Sequence, residues 1–465
     1  MKKDKHMFFL AVIILAGVFI ITACDGNGTP GAGEPDAPWI DTIYIENRKL
    51  GISWVEVDNA DSYNLYWNTT GGVSTSDNSI TGIQASGSRI TYYHSGLSMF
   101  RAYSYMVTAV NTMGESAPSN EVSAIPSDVP EELLTRIASD AEDGDTFCNS
   151  VAISGDTVVV GAVMEDDAGT DRGAAYVFDR NSGGPDAWGE VAKLTASDAE
   201  DLDYFGRSVA ISGDTVVVGA DYADGAGTDC GAAYIFARNQ GGPDAWGEVA
   251  ILTASDAQEG DNFGFSVAIS GDYAVVGAHK EDGAAGTDRG AAYVFDRNSG
   301  GPDAWGEVAI LTASDAEDGD EFGCSVSIGG DFVVVGADHK DGAGTDSGAA
   351  YVFDRNQDGT DAWGEVVILT ASDAEANDQF GWSVAISSDS VVIGAPYEGD
   401  DGVDLGAVYV FHRTTGTMWK LTAAGAEDGD RFGYSVSISI NGDNVVVGAP
   451  FEDSTGTDLG VVYIF

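Results

Sequence analysis

FGWSVAISSDSVVIGAP runs from Phe380 to Pro396. Phe-Gly opens it, Gly-Ala-Pro closes it, and the polar turn Ser387-Ser388-Asp389-Ser390 splits two short apolar runs. It reads as two strands joined by a hairpin at Ser388-Asp389. Its phenylalanine recurs at Phe147, Phe205, Phe263, Phe322, Phe380 and Phe432, at intervals of 58, 58, 59, 58 and 52 residues. A period of that length built from short strands predicts the blades of a β-propeller.

Each unit offers four strand candidates. In the second unit they are FGRSVAIS, DTVVVGA, GAAYIFAR and WGEVAILTA. Gly213-Asp214 and Gly271-Asp272 sit between apolar runs, as tight hairpins require. The unbroken VVVGA runs predict strands buried on both faces. The last unit stops at GVVYIF and lacks the Trp-bearing fourth strand. Ahead of the first unit, ELLTRIASDAEDGD is similar to EVAKLTASDAEDLD. That N-terminal strand is expected to complete the final blade, closing a six-bladed ring and removing its open edges. A seventh blade would need a unit that the sequence does not show.

Phe-Gly followed by Gly-Ala-Pro resembles the FG-GAP repeat, the unit of the integrin α-subunit propeller and of many bacterial surface proteins. The full motif stands at Phe380-Gly381 with Gly394-Ala395-Pro396, and at Phe432-Gly433 with Gly448-Ala449-Pro450. Earlier units replace the proline with Val163, Asp221, His279 and Asp338, and the first replaces the glycine with Cys148. The resemblance implies an FG-GAP-repeat propeller over residues 132–465. Integrin-type repeats carry a calcium loop between their first two strands. Here that place holds only short turns, such as Ser212-Gly213-Asp214 and Asn441-Gly442-Asp443. One carboxylate cannot replace the six to eight oxygens calcium takes, so that site is not carried over.

The first third of the chain reads differently. Lys2, Lys3 and Lys5 precede the apolar run Phe8 to Ile21, the pattern of a secretory signal. The run is short for a spanning helix. It ends in Ile21-Thr22-Ala23-Cys24, which resembles a bacterial lipobox. That resemblance implies a signal peptide over 1–23, cleavage before Cys24, and a membrane anchor through lipid on Cys24. An ordinary cleavable signal or an uncleaved anchor are the alternatives. Residues 24–37 are rich in Gly, Pro and acid and read as a flexible tether. Residues 38–127 hold several short strand candidates, including LGISWVEV, SYNLYW and RAYSYMVTAVN. Leu97 lies six residues before Tyr103, and with Asn111, Gly114, Ser116, Ser119 and Pro126 this resembles a fibronectin type III domain. The fold class is therefore all-β: a fibronectin type III-like sandwich followed by a six-bladed propeller.

Charge bounds the partners. The chain has 75 acidic and 21 basic residues, a net charge of −54. Its field repels nucleic acid and anionic membrane surfaces, and favours cations or basic partners. Cys148, Cys230 and Cys324 fall at different places in their repeats, so no shared disulfide framework follows. The five histidines are scattered with no HExxH spacing.

The acid concentrates in two loops per blade. One precedes each Phe-Gly: Glu142, Asp143 and Asp145 in the first blade, Glu317, Asp318 and Asp320 in the fourth. The other joins the second and third strands and holds Asp221, Asp224, Asp338 and Asp341. An Asp closes this loop in every blade: Asp171, Asp229, Asp288, Asp346, Asp404 and Asp458. Alternate loops of an antiparallel meander emerge together, so both should share one face. These aspartates are candidates for weak Ca2+ binding or for docking a basic partner. The alternative is a solvated rim of Asp side chains capping turns. Trp188, Trp246, Trp305, Trp363 and Trp419 recur beside an apolar strand and read as packing. No nucleophile, base and orienter stand out in blades this alike, so no catalytic residue is expected.

The expected protein is a monomer held in the bacterial cell envelope by lipid, with the leaflet left open. It would bind an extracellular protein or glycan through the acidic face of its propeller. A structural envelope or matrix component is the alternative, and a polysaccharide hydrolase a third.

Overall fold

The computed structural model describes residues 35–46, 49–84, 89–95, 97, 101–125, 136–166, 169–184, 186–225, 227–283, 286–387, 389–399, 403–423, 426–439, 442, 444–452 and 460–465. Cys24, the signal and nearly all of the tether lie outside these residues. So do Pro126, Ser388, Asn441, Asp443 and Asp458. Two compact units divide between residues 135 and 136. Among the described residues no helix is long and apolar enough to cross a membrane.

Among the described residues the first unit holds eight strands: β1 (Ile40–Glu46), β2 (Lys49–Val55), β3 (Ser62–Asn68), β4 (Asn78–Ile83), β5 (Arg89–Ser95), β6 (Tyr103–Asn111), β7 (Gly114–Glu115) and β8 (Val122–Ala124). One sheet runs β1-β2-β5, the other β4-β3-β6-β7 with β8 also on β6. Trp54 from the first sheet and Tyr63, Leu65 and Tyr105 from the second are fully buried in one shared core. Strand β6 is also buried on its polar face. There Glu115 accepts hydrogen bonds from Tyr66 (2.7 Å), Asn64 (3.0 Å) and Thr108.

Among the described residues the second unit contains five four-stranded antiparallel sheets and a last one of three strands. Blade 2 is representative, with strands Ser208–Ser212, Thr215–Ala220, Ala232–Ala237 and Gly247–Leu252. The hairpin register Ser212↔Thr215 closes on Gly213-Asp214. Gly213 takes φ +58°, a conformation that needs no β-carbon. The second strand is buried along its whole length, as its unbroken apolar run requires.

Neighbouring blades meet through the repeated motif. The glycine carbonyl of each Phe-Gly accepts a hydrogen bond from a serine one blade earlier: Ser150 to Gly206, Ser208 to Gly264, Ser266 to Gly323, Ser325 to Gly381 and Ser383 to Gly433, at 2.7–2.9 Å. A β-carbon on Gly219 would overlap the Gly264 carbonyl oxygen, which explains the glycine of Gly-Ala. Phe205, Phe263, Phe322, Phe380 and Phe432 are fully buried. Phe263 meets Tyr293 edge-on at 5.3 Å, and burying such a ring stabilises by roughly 1.5–3 kcal/mol. Opposite it, the same Tyr293 donates its phenol to Asp256 at 2.9 Å, and the pairing recurs at Tyr176–Asp140, Tyr234–Asp198, Tyr351–Asp315 and Tyr409–Asp373.

The expected closing strand falls largely outside the described residues, and among these no sheet closes the ring. The segment just after that strand keeps the spacing of the repeats. Ser139 bonds Glu190 through its N–H and hydroxyl, both at 2.8 Å. Ser197–Glu248, Ser255–Glu307 and Ser314–Glu365 do the same between successive blades. Cys148, Cys230 and Cys324 are free thiols.

Candidate functional site

The start of the first strand and the end of the second lie together, as the pairing Phe263↔Ala278 shows. Register slips just after Phe263, leaving Gly264 and Phe265 unpaired. Such a bulge re-aims a side chain away from the ladder. The preceding residue is left-handed in every blade: Thr146, Tyr204, Asn262, Glu321, Gln379 and Arg431 take φ between 51° and 57°. The backbone is thus constant here while the side chains are not.

Four positions at this end differ from copy to copy. Before Phe stand the six residues just named. Two after it stand Asn149, Arg207, Phe265, Cys324, Trp382 and Tyr434. After Gly-Ala stand Val163, Asp221, His279, Asp338, Pro396 and Pro450, then Met164, Tyr222, Lys280, His339, Tyr397 and Phe451.

These unlike side chains touch one another in an arc across the blades. Asn149 donates to the Arg207 carbonyl at 2.9 Å. The Arg207 guanidinium lies 4.8 Å from the Phe265 ring centre, and Phe265 lies 4.0 Å from His279. His339 bonds Glu321 at 3.2 Å and Gln379 at 3.0 Å. Trp382 packs against Tyr397 (6.0 Å) and Tyr434 (5.3 Å), and Tyr434 against Phe451 (6.4 Å). Arg431 sits between Tyr397 and Phe451, at 4.6 and 4.9 Å. Blades 2 to 4 therefore give the arc a polar half, and blades 5 and 6 an aromatic half with one arginine.

Titration follows burial and partners. Burial pushes His279 down to about 4, so its imidazole is neutral. The hydrogen bond to Glu321 lifts His339 to about 9 against its burial. Burial raises Asp221 to about 6, opposed by Arg207 at 3.6 Å. Burial also raises Asp338.

The sequence-predicted aspartates separate into two groups. Asp171, Asp229, Asp288 and Asp346 take φ of 49–53° and shape turns. Their carbonyls accept from Tyr204, Asn262, Glu321 and Gln379 N–H groups of the next blade at 3.1–3.3 Å. Asp224 and Asp341 accept at 2.9 Å from the Asp229 and Asp346 N–H groups. The Asp404 N–H donates to Asp428 at 3.1 Å, and its carbonyl accepts from Gly429. Among the described ones, only Asp221 and Asp338 enter the arc. In the other acidic loop, Asp145, Asp203, Asp261, Asp320, Asp378 and Asp430 are at most 6% exposed. Each accepts the N–H three residues earlier, at 2.6–2.7 Å. Trp246, Trp305 and Trp363 are buried between blades, while Trp419 is half exposed.

The FG-GAP repeat profile matches six segments: residues 135–178, 188–236, 246–295, 305–353, 363–411 and 416–465. The chain belongs to the FG-GAP repeat family. Its six repeat sheets fit a β-propeller. No curated protein matches this FG-GAP chain. Among solved structures, a periplasmic gluconolactonase of Pseudomonas aeruginosa is 14% identical over 77% of this chain and 94% of its own, with TM-score 0.42. A β-1,2-glucanase of Parabacteroides distasonis is 23% identical over 21% of this chain, with TM-score 0.18, and the match spans 13% of the glucanase. An Fn3-like protein of Clostridium thermocellum is 22% identical over 19% of this chain and 86% of its own, with TM-score 0.15. None of the three lends an activity to the FG-GAP protein.

Proposed function

We propose that this FG-GAP protein is an exported, lipid-anchored binding protein that takes a protein partner on the arc, without catalysis. The observation that carries this reading is the cluster of unlike side chains in mutual contact at the Phe-Gly end of the blades. Trp, Tyr and Arg, the residues that dominate binding energy at interfaces, gather there as Trp382, Tyr397, Tyr434 and Arg431. Tyr434 and Phe451 remain 37% and 39% exposed. The surrounding acid would turn away acidic partners.

Lipid on Cys24, the tether and a fibronectin type III-like unit would hold the blades away from a membrane. The two-sheet core around Trp54 and Tyr63 suits that assignment. Residues 132–136 would pair with the last strand of blade 6 and close the ring. The Ser139–Glu190 pairing, in register with its three equivalents, supports this closure.

An array of envelope and matrix proteins, with glycans as a second arm, tests the reading. Signals on protein spots that Trp382→Ala and Arg431→Ala both abolish are expected. Binding that both variants leave intact, or binding to glycans alone, contradicts it.

A further inference from the structure

Blade 4 brings three metal-competent groups together in the polar half of the arc. Glu321 precedes Phe322-Gly323, and Asp338 and His339 follow Gly336-Ala337. One ligand atom from each of Glu321, Asp338 and His339 lies within 4.8 Å of the others. The fold fixes Glu321 twice: its φ is +54°, and its N–H donates to the Asp288 carbonyl at 3.1 Å.

A second observation points to a missing ligand. Asp338 is 3% exposed, its Oδ1 has no hydrogen-bond partner, and no Lys or Arg among the described residues forms an ion pair with it. A buried carboxylate oxygen left unmatched is destabilising unless a cation or donor meets it. His279 is 6% exposed, its Nδ1 is also unmatched, and the charges of Glu321 and His339 reach its imidazole.

We propose that Glu321, Asp338 and His339 bind one divalent first-row transition cation. Imidazole nitrogen with two carboxylates suits Zn2+, Mn2+ or Co2+, whereas Ca2+ takes six to eight oxygens. The ring nitrogen of His339 that faces Glu321 is Nδ1, at 3.2 Å, while Nε2 keeps its contact with Gln379. Among the described residues such a group occurs once; the equivalent places in blade 2, for example, hold Tyr204, Asp221 and Tyr222. That distinguishes it from diffuse cation binding to the acidic loops, which recur in every blade. It also does not depend on which partner the arc takes.

The test is calorimetric titration of the chelator-stripped full chain with Zn2+ in excess Ca2+, paired with thermal melting. One saturable Zn2+ per chain and a raised melting temperature are expected. Asp338→Asn and His339→Gln should each weaken Zn2+ at least tenfold. His339 is a third exposed on its side chain, so H339Q should fold even if D338N does not. Cys324→Ser should bind as the parent does, although that thiol neighbours Asp338. No saturable binding, several equal sites, binding unchanged in H339Q, or loss in C324S alone would overturn the proposal.

Discussion

The seam between blades and the arc at their loop end are built from adjacent residues, yet they obey opposite rules. At the seam every blade repeats Gly-Ala, five of the six repeat Phe-Gly with its Ser-to-Gly hydrogen bond, and five carry the Tyr–Asp pair. One residue away, Trp382, Cys324, Phe265 and Arg207 occupy the same place in four blades. A contact that each blade must make with the next can only be repeated. A side chain outside that repeated contact is free to differ, even where it touches its counterpart in the next blade, as Arg207 touches Phe265 and Trp382 touches Tyr434. In this chain, sameness marks what holds the fold, and difference marks what the fold presents.

The comparison breaks if seam substitutions are tolerated. Phe322→Ala should have the largest effect, lowering stability by about 3–5 kcal/mol in denaturant unfolding, because it empties a fully buried aromatic site. Gly277→Val belongs with it. Its side chain would meet the Gly323 carbonyl, and the expected outcome is insoluble protein. Tyr293→Phe is gentler. It leaves Asp256 without its phenol donor and should cost about 1–3 kcal/mol by the same measurement.

Acidity sharpens the comparison next. Burial raises Asp203, Asp261 and Asp378 above their ordinary values, Asp378 to about 6. Between pH 3.8 and about 6 the folded chain therefore holds more protons at Asp378 than the unfolded chain does. Its contribution to stability is present at low pH and is lost as pH rises through about 6. Melting temperature should rise from about pH 7 to about pH 5, and Asp378→Asn should shrink that rise. The smallest stability effect belongs to the arc. Trp382→Ala should shift stability by less than about 1 kcal/mol, because its half-buried ring packs on Tyr397 and Tyr434 and stands outside the buried blade core.

The blade strands were legible because six copies repeat the same short apolar runs, and the turns because Gly213 and Gly271 stand between those runs. The sandwich strands around Trp54, Tyr63 and Tyr105 were legible as short apolar and aromatic runs, with alternation plainest in RAYSYMVTAVN. The arc was not. A repeat is recognised by what its copies share, and the arc consists of what they do not. Its trace was visible in Val163, Asp221, His279 and Asp338, which stand where the motif has proline. Residue type alone also could not sort the aspartates. Asp229 and Asp221 look alike in sequence, but the first shapes a turn with φ +53° and the second is buried beside Arg207. Those roles depend on backbone conformation and on partners from other blades.

Exchanging one blade's arc residues for another's tests the central claim most directly. The variant carries Gln379→Tyr, Trp382→Arg and Pro396→Asp in blade 5, so that its loop end reads like blade 2. The same sample is measured for melting and for binding on the protein array. The prediction is a cooperative transition within about 4 °C of the parent, since ~1 kcal/mol moves a large domain by only about 2–4 °C, together with loss of the parent's array signals. A chain that no longer folds, or one that folds and binds as before, would contradict the division between seam and arc.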